Sequence, residues 1–178
     1  MAWTAPRTWV AGEDVGFALM NTHIRDNLLE TAPGIASAGS RLIVTDGANS
    51  IVERIPATAN VVTQETTAST TFTDLATAGP SVTVTTGTLV YIMFTVESFN
   101  TGAGGENVVG YAVSGASALG ASATRALKLT SSAASDKIQV GWGEVRAVTA
   151  GSNTFKLQYL VSSGTGTFLR RRISVIPF

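Results

Sequence analysis

The sequence predicts a mainly β protein: an antiparallel sandwich or jelly roll with an N-terminal extended arm, one helix and a small hairpin. Short β-rich runs recur between turn signals through residues 57–178, with no strong helix signal among them. Several of these runs alternate apolar and polar residues, the mark of half-buried antiparallel sheet. Ahead of them a single stretch, residues 14–31, carries apolar residues at helical spacing. With 44% hydrophobic and 13% charged residues among 178, the chain is not a disordered one.

Residues 1–13, MAWTAPRTWVAGE, read as an extended arm bearing Trp3, Pro6, Trp9 and Val10. An arm cannot bury two indoles in a core of its own. They either fold back on this chain or anchor it to another surface, where aromatics are favoured. Residues 14–31 form the expected helix, with Asp14 as its N-cap and Pro33-Gly34 as its stop. Phe17, Met20, Ile24 and Leu28 step along one stripe with Leu29 at its edge, so they are the candidate oligomerisation residues. Gly16 weakens the first turn by up to about 1 kcal/mol relative to Ala.

The Ala, Gly and Ser residues of 32–40 read as a flexible joint. Beyond it, Leu42-Ile43-Val44 and Ile51-Val52 flank the turn Asp46-Gly47-Ala48-Asn49 and form a hairpin. The organisation expected is therefore an attachment segment over 1–34, a hairpin connector over 35–56 and a jelly-roll domain over 57–178. Within that domain, strands are expected near 60–66, 70–75, 81–86, 88–98, 107–114, 124–130, 137–148, 153–161 and 167–177. Phe155, Leu157, Tyr159 and Val161 alternate with Lys156 and Gln158, and Ile138, Val140 and Trp142 with Gln139, Gly141 and Gly143. The run Leu89-Val90-Tyr91-Ile92-Met93-Phe94 is apolar on both faces, which suits a central strand with one face turned to another subunit.

The composition narrows the chemistry. Twelve Lys+Arg balance twelve Asp+Glu, without the positive surplus a general nucleic-acid binder needs. No apolar run approaches the roughly 20 residues of a membrane helix, and the opening residues hold no signal-peptide core. The chain has no cysteine, hence no disulfide, thiolate ligand or Cys nucleophile. His23 is the single histidine and sits on the helix, far from any strained turn that would present a nucleophile. It reads as a surface or interface residue, although three copies meeting on an axis would be able to hold an ion. Glu97, Glu106, Asp136 and Glu144 are the carboxylates available for glycosidase chemistry, but spacing does not bring any two together. The Gly102-Ala103-Gly104-Gly105 run lacks the Lys-Ser/Thr of a phosphate loop. In Arg170-Arg171-Arg172, alternation sends Arg171 to the face of Leu169, Ile173 and Val175, where it must find a carboxylate or an edge. No enzyme, cofactor or metal site is expected.

Trp3 through Val10, then Gly12-Glu13, then Met20 through Leu28 together resemble a segment common at the start of tailed-bacteriophage structural proteins. The Asp46–Asn49 hairpin is similar to small units of phage fibres. Ala150 through Phe155, Gly164 through Phe168 and Arg171 through Pro177 look like the last strands of a jelly-roll head of tumour-necrosis-factor-like plan. Gly16 departs from the pattern, in which a Thr or Ser cap is expected.

The resemblance implies a virion protein displayed on the particle surface, with a usually trimeric head. The chain lacks any long shaft or collagen-like repeat, which favours a capsid decoration or cement protein over a reaching fibre. Its expected partners are two further copies of itself and the major capsid protein or another virion protein. Attachment would use Trp3, Pro6, Trp9 and Val10. The alternative is a short tail-tip or head-fibre protein that binds a host-surface glycan through loops 100–106 and 131–136. No nucleic acid or membrane partner is expected.

Overall fold

The computed structural model describes residues 4–5, 7–48 and 50–178, so Trp3 and Pro6 of the expected arm lie outside the described residues. The chain divides into two compact units, Met1–Ile55 and Pro56–Phe178.

In the first unit the helical segment starts later than the sequence predicts. Gly16 is the N-cap, in extended conformation, and its carbonyl accepts from the Leu19 and Met20 N–H groups at 3.0 and 3.3 Å. Asp14 therefore lies outside the helix, and no side chain caps the first turn. Helix α1 (Phe17–Met20) runs through a π turn (Asn21–Arg25) into α2 (Asp26–Leu29), and the Asp26 N–H donates to the Asn21 carbonyl across the wider turn. The stop also differs. The chain leaves the helix at Glu30 and Thr31, and Pro33-Gly34 lies inside one further turn, α3 (Ala32–Ile35). Proline is tolerated in a first turn because its missing N–H has no intrahelical acceptor. A Cβ on Gly34 would fall 2.7 Å from the Leu29 carbonyl, so glycine is what lets this turn fold against the end of α2.

The expected joint is tied rather than loose at Ser37. Its N–H and Oγ both donate to the Glu53 carboxylate, at 2.7 and 2.6 Å. That carboxylate lies on β2 (Ser50–Arg54), which pairs antiparallel with β1 (Leu42–Gly47), Val44 opposite Val52.

The second unit holds β3 (Ala57–Val61), β4 (Glu65–Thr67), β5 (Ser81–Thr86), β6 (Leu89–Asn100), β7 (Glu106–Gly115), β8 (Ala126–Thr130), β9 (Ile138–Ala147), β10 (Gly151–Val161) and β11 (Gly166–Pro177). One sheet runs β5-β10-β7-β8; the other runs β3-β11-β6-β9, with β4 also on β11. Apart from β4, the strands pair in nested fashion. β3 pairs with β11, β5 with β10, β6 with β9 and β7 with β8, every pair antiparallel and alternate pairs in opposite sheets. That nesting is the jelly roll.

Strand β6 is central, flanked by β11 and β9, as its two apolar faces require. Val90, Ile92, Phe94 and Val96 from β6 meet Phe155, Leu157, Tyr159 and Val161 from β10, all essentially inaccessible to water. The expected strand at 60–66 resolves into β3 and β4. Residues 70–75 are not a strand. Thr73 alone bridges to Tyr159, while Leu75 enters the core. The segment from Ser69 to Pro80 instead closes the edge of β10 with isolated backbone bonds to Val161, Tyr159 and Leu157.

Buried asparagines tie the loops at both ends of the sandwich. Asn153 donates from Nδ2 to Thr86 Oγ1 (2.8 Å) and the Thr149 carbonyl (2.9 Å), and accepts the Ser117 N–H at 2.7 Å. At the other end Asn100 donates to Asn107 Oδ1 (2.8 Å) and the Ser163 carbonyl (3.1 Å), and accepts from the Gly102 N–H (2.9 Å). Asn107 in turn donates to Ser98 and to the Phe99 carbonyl.

Candidate interaction surfaces

The arm folds back on the helical segment. Thr4 N–H donates to Asn27 Oδ1 at 3.0 Å and Asn27 Nδ2 returns a bond to the Thr4 carbonyl at 3.1 Å, which makes Asn27 the one buried residue among the described residues of these helical turns. The Trp9 indole meets His23 edge-on with ring centroids 6.3 Å apart, and the Arg7 guanidinium stands 4.9 Å above the indole. Arg7 also pairs with Glu13, whose carboxylate accepts the Val10 N–H. Trp9 is thus spent partly on its own chain, whereas Val10 is 69% exposed. His23 Nδ1 is shielded from water and has no partner.

The candidate oligomerisation stripe is uncovered along its whole length. Phe17 is 83% exposed, Leu28 61%, and Met20 and Ile24 are exposed as well. In the jelly-roll unit, the outward face of the β3-β11-β6-β9 sheet has two halves. Toward the start of β6 it is apolar. Leu89, Met93 and Val145 are exposed there, beside half-buried Tyr91 and Ile176. Tyr91 lies over Gly143, whose Cβ, if it had one, would sit 2.7 Å from the phenol oxygen. Burying these side chains against a partner would remove apolar area from water at about 25 cal/mol per Å².

The other half of that face is polar, and the arginine run shapes it. Arg172 pairs with Thr95 and Leu169 with Glu97, so Arg170 and Arg171 together stand opposite Val96, a one-residue bulge. Arg170 occupies the bulge with φ +48°, the left-handed region. The extra residue changes the phase of the strand. Phe168, not Leu169, shares the inward face with Arg171, Ile173 and Val175, and Leu169 is only half-buried.

Arg171 is fully buried. It pairs with Glu65 on β4 at 2.9 Å, donates to the Thr63 carbonyl at 3.3 Å and stacks 5.4 Å from the Tyr159 ring centroid. Burial pushes the Glu65 carboxyl up, but hydrogen bonds from Thr77 and the Arg171 charge prevail, and it sits below the ordinary carboxylate value. Arg170 turns outward and pairs with Glu97 at 2.6 Å. Arg172 also faces outward. Together with Asn60, Val62, Thr95, Gln139 and Arg170 it lines a cavity of about 350 Å³.

Glu144 and Asp136, two of the other carboxylates considered for glycosidase chemistry, go to separate partners. Glu144 accepts the Tyr111 hydroxyl, and burial followed by this carboxylate pushes that phenol well above its usual range. Asp136 accepts from Ser132 at 2.8 Å. Among the described residues no group of three or more His, Asp or Glu is placed to hold a metal. Loops 100–106 and 131–136 do come together, since Gly104 N–H donates to the Ser131 carbonyl and Ser135 N–H to the Asn100 carbonyl, both at 2.8 Å. Phe99, the aromatic bordering them, is topped by the Lys137 ammonium at 5.6 Å.

Sequence reasoning missed the asparagine ties and the cavity. Asn100, Asn107 and Asn153 at strand ends carried a weak signal, as polar residues in phase with core positions. Asn60, Thr95 and Gln139 carried none.

No protein-family model matches the chain, and no curated protein matches it in sequence. Among solved structures it is similar to the Eiger TNF of S. frugiperda, with a TM-score of 0.49 and 10% identity over 70% of this chain and 92% of that one. It is also similar to a chain of the Gx strain of infectious bursal disease virus, with a TM-score of 0.47 and 12% identity, covering 75% of this chain and 36% of that one. The Gt strain of the same virus gives a TM-score of 0.43 at 10% identity, covering 74% and 36%.

Proposed function

We propose that the chain is a structural protein of a bacteriophage virion, a homotrimeric decoration or cement protein of the capsid surface. One observation carries this reading. The jelly-roll unit buries a core of its own, whereas the N-terminal unit leaves Phe17, Met20, Ile24 and Leu28 exposed on one stripe. A helix with that stripe bare is built to be covered by copies of itself or by another protein.

The N-terminal sequence resemblance to tailed-phage structural proteins supplies the setting, and the apolar half of the sheet face supplies a second self-association surface. Attachment would use the region of Trp9 and Val10, with Trp3 and Pro6 beside them in sequence. Trimer avidity would multiply a weak single contact. Binding the assembled capsid and not its free subunits would stabilise the particle by mass action. The reading includes no catalysis, in keeping with a single imidazole packed under Trp9.

The test is immunogold labelling of intact virions with antibody against residues 57–178. Label spread over the head is the expected result. Label confined to the tail tip would replace the decoration role with the receptor-binding one, and unlabelled particles would end the virion reading.

A further inference from the structure

We propose that the cavity beside the β11 bulge is a binding site for a small hydroxylated carboxylate, an acidic monosaccharide residue in chemical class. The site begins with the charge count. Arg170 is neutralised by Glu97 at 2.6 Å, but the Arg172 guanidinium makes no ion pair or hydrogen bond with any described residue. One positive charge therefore stands uncompensated in a concave site. A free guanidinium offers a planar fork that matches a carboxylate bidentately.

The lining around it is suited to hydroxyl groups. Asn60 and Gln139 each bring an amide that both donates and accepts, and Thr95 brings a hydroxyl. Val62, 68% exposed at the rim, offers an apolar patch to the non-polar face of a sugar ring. The cavity volume, about 350 Å³, falls at the small end of small-molecule sites.

The backbone adds an independent observation. Bulges re-aim side chains beside functional sites, and a residue held in the left-handed region is a strain that a fold keeps where the geometry is used. Here the bulge and the φ of +48° both fall on Arg170, and they set Arg170 and Arg172 on the rim of one cavity while Arg171 points inward. Glycine at that position would relax the backbone and remove the rim cation.

The site goes beyond the assembly role and does not depend on it. Thr95 lies four residues along β6 from Tyr91, about 13 Å, so the apolar half of the face can be covered while the cavity stays open. Ligand-observed NMR titration of the full chain with sodium glucuronate tests it, with glucose and inorganic sulfate as comparison probes. Ordinary ligand efficiency for a molecule this size gives a dissociation constant of about 1 mM.

Saturable glucuronate binding, no glucose binding at the same concentration, and a loss of about tenfold or more in Arg172→Gln support the site. Arg170→Gly should also weaken binding without lowering the thermal midpoint, which separates loss of the site from loss of the fold. No saturable binding would overturn the proposal, and so would binding unchanged in Arg172→Gln. Sulfate binding as tight as glucuronate would overturn the saccharide assignment, leaving a bare anion site. Each result reads the cavity alone, whatever the labelling of virions shows.

Discussion

The guanidinium of Arg171, at 0% exposure, lies 2.9 Å from the carboxylate of Glu65, and this pair fastens β4 and the segment after it to the last strand of the jelly roll. The guanidinium also donates to the Thr63 carbonyl at 3.3 Å, while Thr77 N–H donates to the other oxygen of Glu65 at 2.9 Å. Residues distant in sequence thus meet around one charge pair. Breaking a buried pair from one side leaves the other charge unpaired, which costs about 3–5 kcal/mol. Glu65→Ala should therefore lower stability by that amount in denaturant unfolding. A loss under about 1 kcal/mol would mean that water reaches Arg171.

The same pair makes a pH prediction. The Glu65 carboxyl sits below its ordinary value of 4.5 in the fold, because the Thr77 bonds and Arg171 outweigh the opposing effect of burial. A carboxyl depressed by folding contributes stability that is present in full above the unfolded value and is lost as pH falls through the folded one. The thermal midpoint should hold level above about pH 5 and decline below about pH 4.5. Glu65→Gln should flatten that decline while lowering the neutral-pH midpoint. An unaltered acid limb in the variant would assign the decline to other carboxylates.

Arg170→Gly separates backbone strain from side-chain function. The left-handed conformation at φ +48° costs a non-glycine residue about 1–2 kcal/mol, and the pair with Glu97 is made by a side chain 64% exposed, worth little in water. Part of the relief is offset by the greater freedom of glycine in the unfolded chain. The net expectation is a thermal midpoint equal to or a few degrees above that of the parent, read by calorimetry. A clear drop would mean that the Glu97 pair, rather than the backbone, governs the bulge.

The asparagine tie at Asn153 has a chemical signature. Its Nδ2 donates to Thr86 and to the Thr149 carbonyl, its Oδ1 accepts from Ser117, and the asparagine is itself fully buried. An aspartate keeps the shape and the acceptor but has no N–H to donate. Asn153→Asp should cost about 2–4 kcal/mol, as much as Asn153→Ala, because it places a carboxylate against a carbonyl. If Asp is tolerated and Ala is not, the acceptor bond to Ser117 alone holds the loop.

These residues also explain what was legible in the sequence. Strands whose side chains alternate with period two were readable because burial on one face writes itself into composition, as along Phe155 to Val161. The phase break in β11 was not, since a bulge adds one residue without changing composition, and alternation carried past it misplaces Leu169. Residues 70–75 have a strand's composition but bridge β10 only at Thr73. The helix boundaries were misplaced because Asp14 and Pro33-Gly34 are cap and stop by type, whereas the chain uses Gly16 as the cap and folds Pro33-Gly34 into a further turn. The Arg172 cavity was invisible because Asn60, Thr95, Gln139 and the arginines converge from β3, β6, β9 and β11, and only the sheet order makes them neighbours.

The exposed stripe gives the sharpest test of self-association. Full burial of a leucine or isoleucine is worth about 1.5–3 kcal/mol, and in a symmetric trimer every substitution acts three times. In the proposed trimer, Leu28→Lys should therefore give monomer at micromolar concentration in light scattering, while Thr22→Glu, off the stripe, should leave the mass unchanged. The jelly-roll unit buries its own core, so its near-ultraviolet signal should survive the change. Oligomer mass unaffected by Leu28→Lys but reduced by Met93→Lys would move the association surface to the apolar half of the sheet. The helical stripe would then be left for the proposed virion partner, and Trp9→Ala and Leu28→Lys should both reduce occupancy on particles without altering the oligomeric mass.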